Sequence, residues 1–298
     1  MINNKRINSI IELLEQKQPV YYTQTDIFTY ENGKKMGNTW ADYIRLNLEH
    51  GPFDIKGVSD FMKGLFSVGP LKSGHKTPAV IAELPMSGTD EYVIHSNAWV
   101  VNHLLATGIH GLLLCHAENP CAVKALAEIM RYSFQTIGVG DGLSQGRRGH
   151  GGQKSAAKIW DIDETDYLEK ADLWPLNPNG ELILGLKIEN TRALSNVDLS
   201  TSIKGVIFAE WGPGDMGMSL GYPEQHNPPY PKEMLEIRNK VFNACKNNNI
   251  YFLNAVYNKE ELISCIDKGI MFMRIPDDDT EGKLADIGRR YTNRKMPW

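Results

Sequence analysis

The chain has 298 residues, 42% hydrophobic and 23% charged, enough for one large α/β barrel or two smaller domains. Thirty-two basic residues against 36 acidic ones give a net charge of −4 with no long basic run, which argues against nucleic acid as the main partner. No run of about 18 apolar residues occurs, and the opening MINNKRINSIIELL lacks the apolar stretch of a signal peptide, so a cytoplasmic protein without membrane contacts is expected.

Residues 6–17 carry apolar side chains at helical spacing, and residues 19–25, PVYYTQT, read as the first strand. Residues 27–40 read as a loop or broken helix around Gly33 and Gly37. The second strand is residues 41–48, ADYIRLNL, with Tyr43 and Arg45 expected outward against Ile44 and Leu46. Its end delivers Asn47, Glu49 and His50. A histidine beside a carboxylate and ahead of a Gly-Pro turn is a candidate proton-transfer group, the alternative being a purely structural residue. A helix over 57–66 and a Gly/Pro/Lys loop over 67–77 lead to a third strand, 78–84, which carries Glu83 near its end. Beyond a helix at 95–107, the fourth strand, GLLLCHA, brings Cys115, His116 and Glu118 to its end, and a helix follows over 121–132.

Residues 136–153 are the most glycine-rich stretch. The Walker pattern is absent, and the glycines do not follow a strand as a dinucleotide fingerprint would. A mobile loop carrying Arg147, Arg148 and His150 toward an anionic substrate fits better than a phosphate cradle, with a plain solvated loop as the alternative. One or two helices over 155–174 precede the fifth and sixth strands, ELILGLKIE and GVIFAE, each closing on a carboxylate. In parallel α/β folds, strand carboxyl ends are where chemistry collects. Gly212-Pro213-Gly214-Asp215 follows, a tight backbone expected to free amide N–H groups and to point Asp215 inward. Glu189 and Asp215 on adjacent strand ends suit a hard divalent cation with positions left for water and substrate. The alternative is that Glu189 caps a helix and Asp215 sits in a surface turn. A loop over 221–231, a helix over 232–247, strands over 250–256 and 270–275 with a helix between them, and a charged tail over 276–298 complete the chain. Eight strands alternating with helices predict a single-domain (β/α)8 TIM barrel over residues 1–298. Four cysteines form no CxxC pair, and Cys115 and Cys245 are expected as buried free thiols.

Several of these stretches resemble the HpcH/HpaI aldolase/citrate lyase family of metal-dependent 2-oxo-acid aldolases. Lys187-Ile188-Glu189 with Thr191-Arg192-Ala193 resembles the family's Gln-Ile-Glu strand end, and Gly212-Pro213-Gly214-Asp215 its Gly-Pro-Ala-Asp loop. Leu48-Glu49-His50-Gly51-Pro52, Arg131-Tyr132 and Arg148-Gly149-His150-Gly151 resemble further motifs in the same order. The resemblance implies a barrel of the phosphoenolpyruvate/pyruvate-binding type. It implies Mg²⁺, Mn²⁺ or Co²⁺ on Glu189 and Asp215, and catalysis by His50 with Glu49 and Asn47. Lys187, Gly214, Asp215, Arg148 and Glu83 are then expected at the substrate. It implies a lyase acting on a 2-oxo acid and an aldehyde, in a homo-oligomer built as a trimer of dimers, with the tail in its contacts. The sequence departs from the pattern at three places. Asn47 stands where the family has aspartate, no arginine closes the third strand, and Lys187 replaces a glutamine. Lys187 is expected either to meet the substrate carboxylate or to pair with Glu83 or Glu210. Other enolate chemistry, an acyl-CoA-type lyase or a decarboxylase, and a non-catalytic ligand-binding barrel are the alternatives.

Overall fold

A computed structural model describes residues 5–298. Its eight strands are β1 (Val20–Thr25), β2 (Tyr43–Asn47), β3 (Ala79–Ser87), β4 (Gly111–Cys115), β5 (Ile183–Ile188), β6 (Val206–Trp211), β7 (Tyr251–Ala255) and β8 (Phe272–Arg274). All pair in parallel and in sequence order, and β8 closes onto β1, with Val20 opposite Phe272. This is a (β/α)8 barrel with helices between the strands. No helix among the described residues is long and apolar enough to cross a membrane.

Alternation along the strands divides the apolar residues into two layers. Ile44, Leu46, Val80, Ala82, Leu112, Leu114, Leu184 and Leu186 pack outward against the helices. Tyr22, Tyr43, Ile81, Leu113, Ile183, Phe208 and Phe272 fill the lumen. The helix Ser9–Glu15 closes the lower mouth with Ile10, Ile11, Leu13 and Leu14 in the same cluster. Midway up, Phe208 stacks on Phe272 at 4.4 Å and Tyr22 on Tyr43 at 4.9 Å. Gly185 makes room for this floor, because a Cβ there would stand 2.2 Å from the Phe208 ring.

Tyr43 and Arg45 are thus turned into the lumen, not outward as the alternation suggested. Above the aromatic floor the lumen is charged. The Arg45 guanidinium lies 4.8 Å from the centre of the Tyr22 ring, donates to Glu210 Oε2 at 2.7 Å and to Gln24 Oε1 at 3.0 Å, and is buried. A polar residue on an alternating strand faces water in an open sheet, but in a closed barrel it can face its buried partners across the axis.

Other differences are local. The helix expected over 95–107 is two, Glu91–Ser96 and Ala98–Ala106, broken at Asn97. Residues 27–40 contain the helix Tyr30–Met36. In the tail, helix Lys283–Tyr291 packs on its own barrel, and Arg289 and Arg294 both bond Asp42 Oδ1, at 3.1 and 2.7 Å.

One buried group below the strands sets a pH dependence. His110 Nδ1 accepts the Val80 N–H at 3.1 Å, and the ring stacks on Trp160. Burial, with a smaller push from His75, lowers the His110 imidazole to about 3. The unfolded chain takes up a proton near pH 6.5 that the folded chain refuses until about pH 3. Stability therefore falls as pH drops through 6.5, by about 2–3 kcal/mol between pH 7 and 4.5 from this group. His110→Asn keeps an acceptor for Val80 but does not titrate. Urea denaturation at the two pH values should show a loss smaller by that amount in the variant, even if its stability at pH 7 is lower.

Candidate active site

The upper mouth collects polar residues because each is the last or next-to-last residue of a strand, or begins the turn beyond it. Glu49 follows β2, His116 follows β4, Glu189 follows β5, and Asp215 lies in the first turn of the helix Pro213–Leu220 after β6. Each of these four offers one ligand atom, and the four atoms all lie within 4.8 Å of one another. That separation suits one divalent ion with ligands at about 2.0–2.6 Å.

Glu189 is fully buried. Its Oε1 accepts the His116 backbone N–H at 2.7 Å. Its Oε2 is ion-paired with Lys187 Nζ at 2.9 Å, whereas Glu49 Oε1 is buried without a hydrogen-bond partner. Burial pushes the Glu189 carboxyl up to about 7, against the lowering pull of Lys187. Gly212 is needed here, since a Cβ on it would stand 2.7 Å from Glu189 Oε2. The stretch 212–215 is therefore a strand-to-helix junction, with Gly212 as N-cap and Pro213 at the first helical position, rather than a free loop.

Below the rim, Lys187 Nζ contacts Glu49 Oε2 at 2.5 Å, Glu189 Oε2 at 2.9 Å and Glu83 Oε1 at 3.1 Å. Burial disfavours its charge, but Glu83 and Glu189 outweigh that and hold the amine well above its usual range. Glu83 is kept low by Arg45 and Lys187 in spite of its burial. Lys187 thus contacts three carboxylates, Glu49, Glu83 and Glu189, with Asp215 close to Glu49 and Glu189, and Arg45, paired with Glu210, reaches Glu83 at 3.7 Å, so five acidic groups gather around two cations. An uncompensated charge of that size is costly to bury, and a dication would offset most of it. The carboxylate donor set and the unpartnered Glu49 Oε1 fit a hard cation.

The other expected site residues separate. His50 is largely exposed, with Nε2 3.2 Å from Glu49 Oε2. Asn47 Oδ1 accepts the His50 backbone N–H at 3.0 Å, so it shapes the turn rather than touching the imidazole. Gly214 sits beside Asp215 in the helix's first turn. Arg148 is not brought to the cluster. Its guanidinium lies between the Tyr132 and Tyr167 rings and donates to Tyr167 Oη at 2.8 Å. His116 was seen at a strand end, but nothing in the sequence gave it a partner. Asn190 was missed altogether, although its place one residue after Glu189 was a usable signal.

The fold is a (β/α)8 barrel with its polar cluster at the carboxyl ends of the strands. The sequence profile of the HpcH/HpaI aldolase/citrate lyase family matches residues 76–278, and the chain belongs to that family. A hydroxypyruvate/pyruvate aldolase from Agrobacterium fabrum is 22% identical over 264 residues, covering 88% of this chain and 85% of the relative. A crystal structure of a family member from Burkholderia cenocepacia superposes with a TM-score of 0.70 at 18% identity, covering 96% of this chain and 98% of that one. A citrate lyase beta subunit from M. tuberculosis, complexed with oxaloacetate and magnesium, superposes with a TM-score of 0.56 at 13% identity, covering 93% and 99%.

Proposed function

We propose that the chain is a cation-dependent carbon–carbon lyase that cleaves or forms a 4-hydroxy-2-oxo acid through a pyruvate-type enolate. The observation that carries this reading is the cluster of Glu49, His116, Glu189 and Asp215, whose ligand atoms lie within 4.8 Å of one another and in which the buried Glu49 Oε1 has no hydrogen-bond partner. Glu189 and Asp215 would hold Mg²⁺, Mn²⁺ or Co²⁺, with Glu49 beside them. When bound, such an ion supplies a Lewis acid that eases the build-up of enolate charge on a 2-oxo acid. Backbone N–H groups of Gly214 and Asp215, in the first turn of their helix, would receive the acid's carboxylate. The Lys187 ammonium is taken up by three carboxylates, which supports a role in holding them together more than a grip on the substrate.

In the cleavage direction the 4-hydroxyl gives its proton to His50 and the C3–C4 bond breaks. The bonding pair passes into the enolate, and delivery of the proton held by His50 to C3, directly or through water, leaves pyruvate and an aldehyde. His50 is accessible and oriented by Glu49, as that step needs. We read the protein as a homo-oligomer, a trimer of dimers, and the exposed edge-to-face pair Phe53–Trp99 and exposed Tyr92 support assembly. The test is pyruvate release from a 4-hydroxy-2-oxo acid with Mn²⁺ and with chelator. His50→Ala should slow it by about 10²–10⁴ at unchanged Mn²⁺ affinity. Full activity in that variant would remove His50 from proton transfer, and full activity in chelator would remove the cation from the mechanism.

A further inference from the structure

His116 has φ +44°, a left-handed backbone unusual outside glycine. That turn aims its N–H at Glu189 and lays its ring over the carboxylate cluster. Nε2 lies 3.6 Å from Glu49 Oε1, and Nδ1 3.6 Å from Glu189 Oε1. A neutral imidazole offers a lone pair on one nitrogen and a proton on the other, and the partner of one fixes the role of the other.

Asn190 settles the choice. Its Oδ1 accepts the Ala193 N–H at 2.9 Å as the cap of the next helix, which fixes the orientation of the amide. Nδ2 is then the atom 3.1 Å from His116 Nδ1, and it also donates to Glu118 Oε1 at 2.9 Å. Glu118 is held in turn by Arg192, whose Nε and Nη2 both lie at 2.8 Å. An amide nitrogen has only protons to offer, so Nδ1 is the acceptor and the ring proton sits on Nε2. The imidazole therefore turns an N–H, not a lone pair, toward the cluster. The nearby cations of the lumen are already engaged, Lys187 by three carboxylates and Arg45 by Glu210 and Gln24.

We propose that His116 stands beside the cation rather than on it, and that its Nε2–H donates to the 2-oxo-acid oxygen on which negative charge accumulates. Asn190 is the positioning residue that fixes this tautomer. The inference rests on the enolate chemistry proposed above. A preset donor at a developing oxyanion contributes about 10²–10³ in rate.

The experiment uses the full chain, pyruvate as probe, and Mn²⁺ or Co²⁺. Two-bond ¹H–¹⁵N spectra of histidine-labelled protein, recorded without added cation, should show His116 with its proton on Nε2. Asn190→Asp, whose carboxylate accepts from Nδ1, should switch the proton to Nδ1. Exchange of the pyruvate C3 protons with D₂O should survive in His116→Gln, which keeps an N–H, within about tenfold of the parent chain. His116→Asn suits the left-handed backbone but is too short to reach, and should lose about 10²–10³ in kcat. Co²⁺ affinity should stay within about threefold in both variants, with an unchanged visible spectrum, since neither removes a ligand. Altered Co²⁺ bands, or a tenfold weaker Co²⁺ site, in His116→Gln would make His116 a ligand and overturn the proposal. Parent-like exchange in His116→Asn, or a proton on Nδ1 in the parent chain, would overturn it too. Absence of exchange in the parent chain with every cation would overturn the enolate chemistry and the donor role with it. The cation-free spectra would still report whether Asn190 sets the tautomer.

Discussion

Glu189→Gln is expected to lose cation-dependent turnover while the barrel stays folded. The amide matches the carboxylate in shape, and its oxygen can still accept the His116 N–H that Glu189 Oε1 accepts at 2.7 Å. Lys187 keeps Glu49 and Glu83 as partners. What disappears is the negative charge that the buried Oε2 can carry beside Lys187. A neutral amide is a poor ligand for a hard cation. Mn²⁺ affinity should drop at least ten- to a hundredfold, the cost of losing even an outer partner of a ligand. On the proposed function, pyruvate release should drop by on the order of 10³ or more, since the variant would lose the Lewis acid and its charge. Asp215→Asn should give the same pattern from the neighbouring element. Calorimetric Mn²⁺ titration and a lactate-dehydrogenase-coupled pyruvate assay measure the two effects, and undiminished Mn²⁺ affinity in both variants would place the ion elsewhere.

The largest expected effect on stability lies far from the chemistry. Arg131 and Asp172 are both fully buried, with Nε to Oδ1 at 2.6 Å and Nη2 to Oδ2 at 3.1 Å. Asp172 also accepts from the Leu173 N–H and from Asn177 Nδ2. Through these bonds the pair joins the end of the helix Pro120–Met130 to the segment that enters β5. Arg131→Met strands a carboxylate with half its donors gone and no counter-charge. The expected cost is about 3–5 kcal/mol. Arg131→Met combined with Asp172→Asn removes the stranded charge as well and should recover part of the loss. Urea melts of the parent chain, both single variants and the pair give the coupling. A loss under about 1 kcal/mol in Arg131→Met would mean that water reaches Asp172.

The barrel was legible because its buried strands are short apolar runs set off by glycine and polar turns, and their number and alternation with helices specify closure. Boundaries were less so. Pro85 looks like a strand end, since it cannot donate to a ladder, yet β3 runs on to Ser87 with an irregular register against β4. The helix Pro213–Leu220 was hidden by two weak helix formers, Gly214 and Gly217, although Pro213 at its first position marked the start. The face assigned to Tyr43 and Arg45 was reversed because alternation gives two faces without saying which is interior. That Glu189 and Asp215 lie close together was legible from adjacent strand ends; that Glu49 and His116 join them was not. The seat of Arg148 between two tyrosines was not, since Tyr132 and Tyr167 are 35 positions apart and meet only through packing. Nor was the proton position on His116, which depends on how one amide is turned.

The aromatic floor of the lumen makes the candidate site a vessel closed from below. Tyr22, Tyr43, Phe208 and Phe272 seal it from below, and Ile10 and Leu13 seal it again beneath them. Glu189 lies deep and fully covered, whereas His50 stands at the exposed lip. On the function proposed above, the 2-oxo acid sits at the buried Glu189 end and the aldehyde at the exposed His50 end. Traffic in such a vessel has a compulsory sequence. The inner occupant arrives first and departs last, so pyruvate should compete with the cleaved acid for the free enzyme, while the aldehyde should meet only a site already loaded below it.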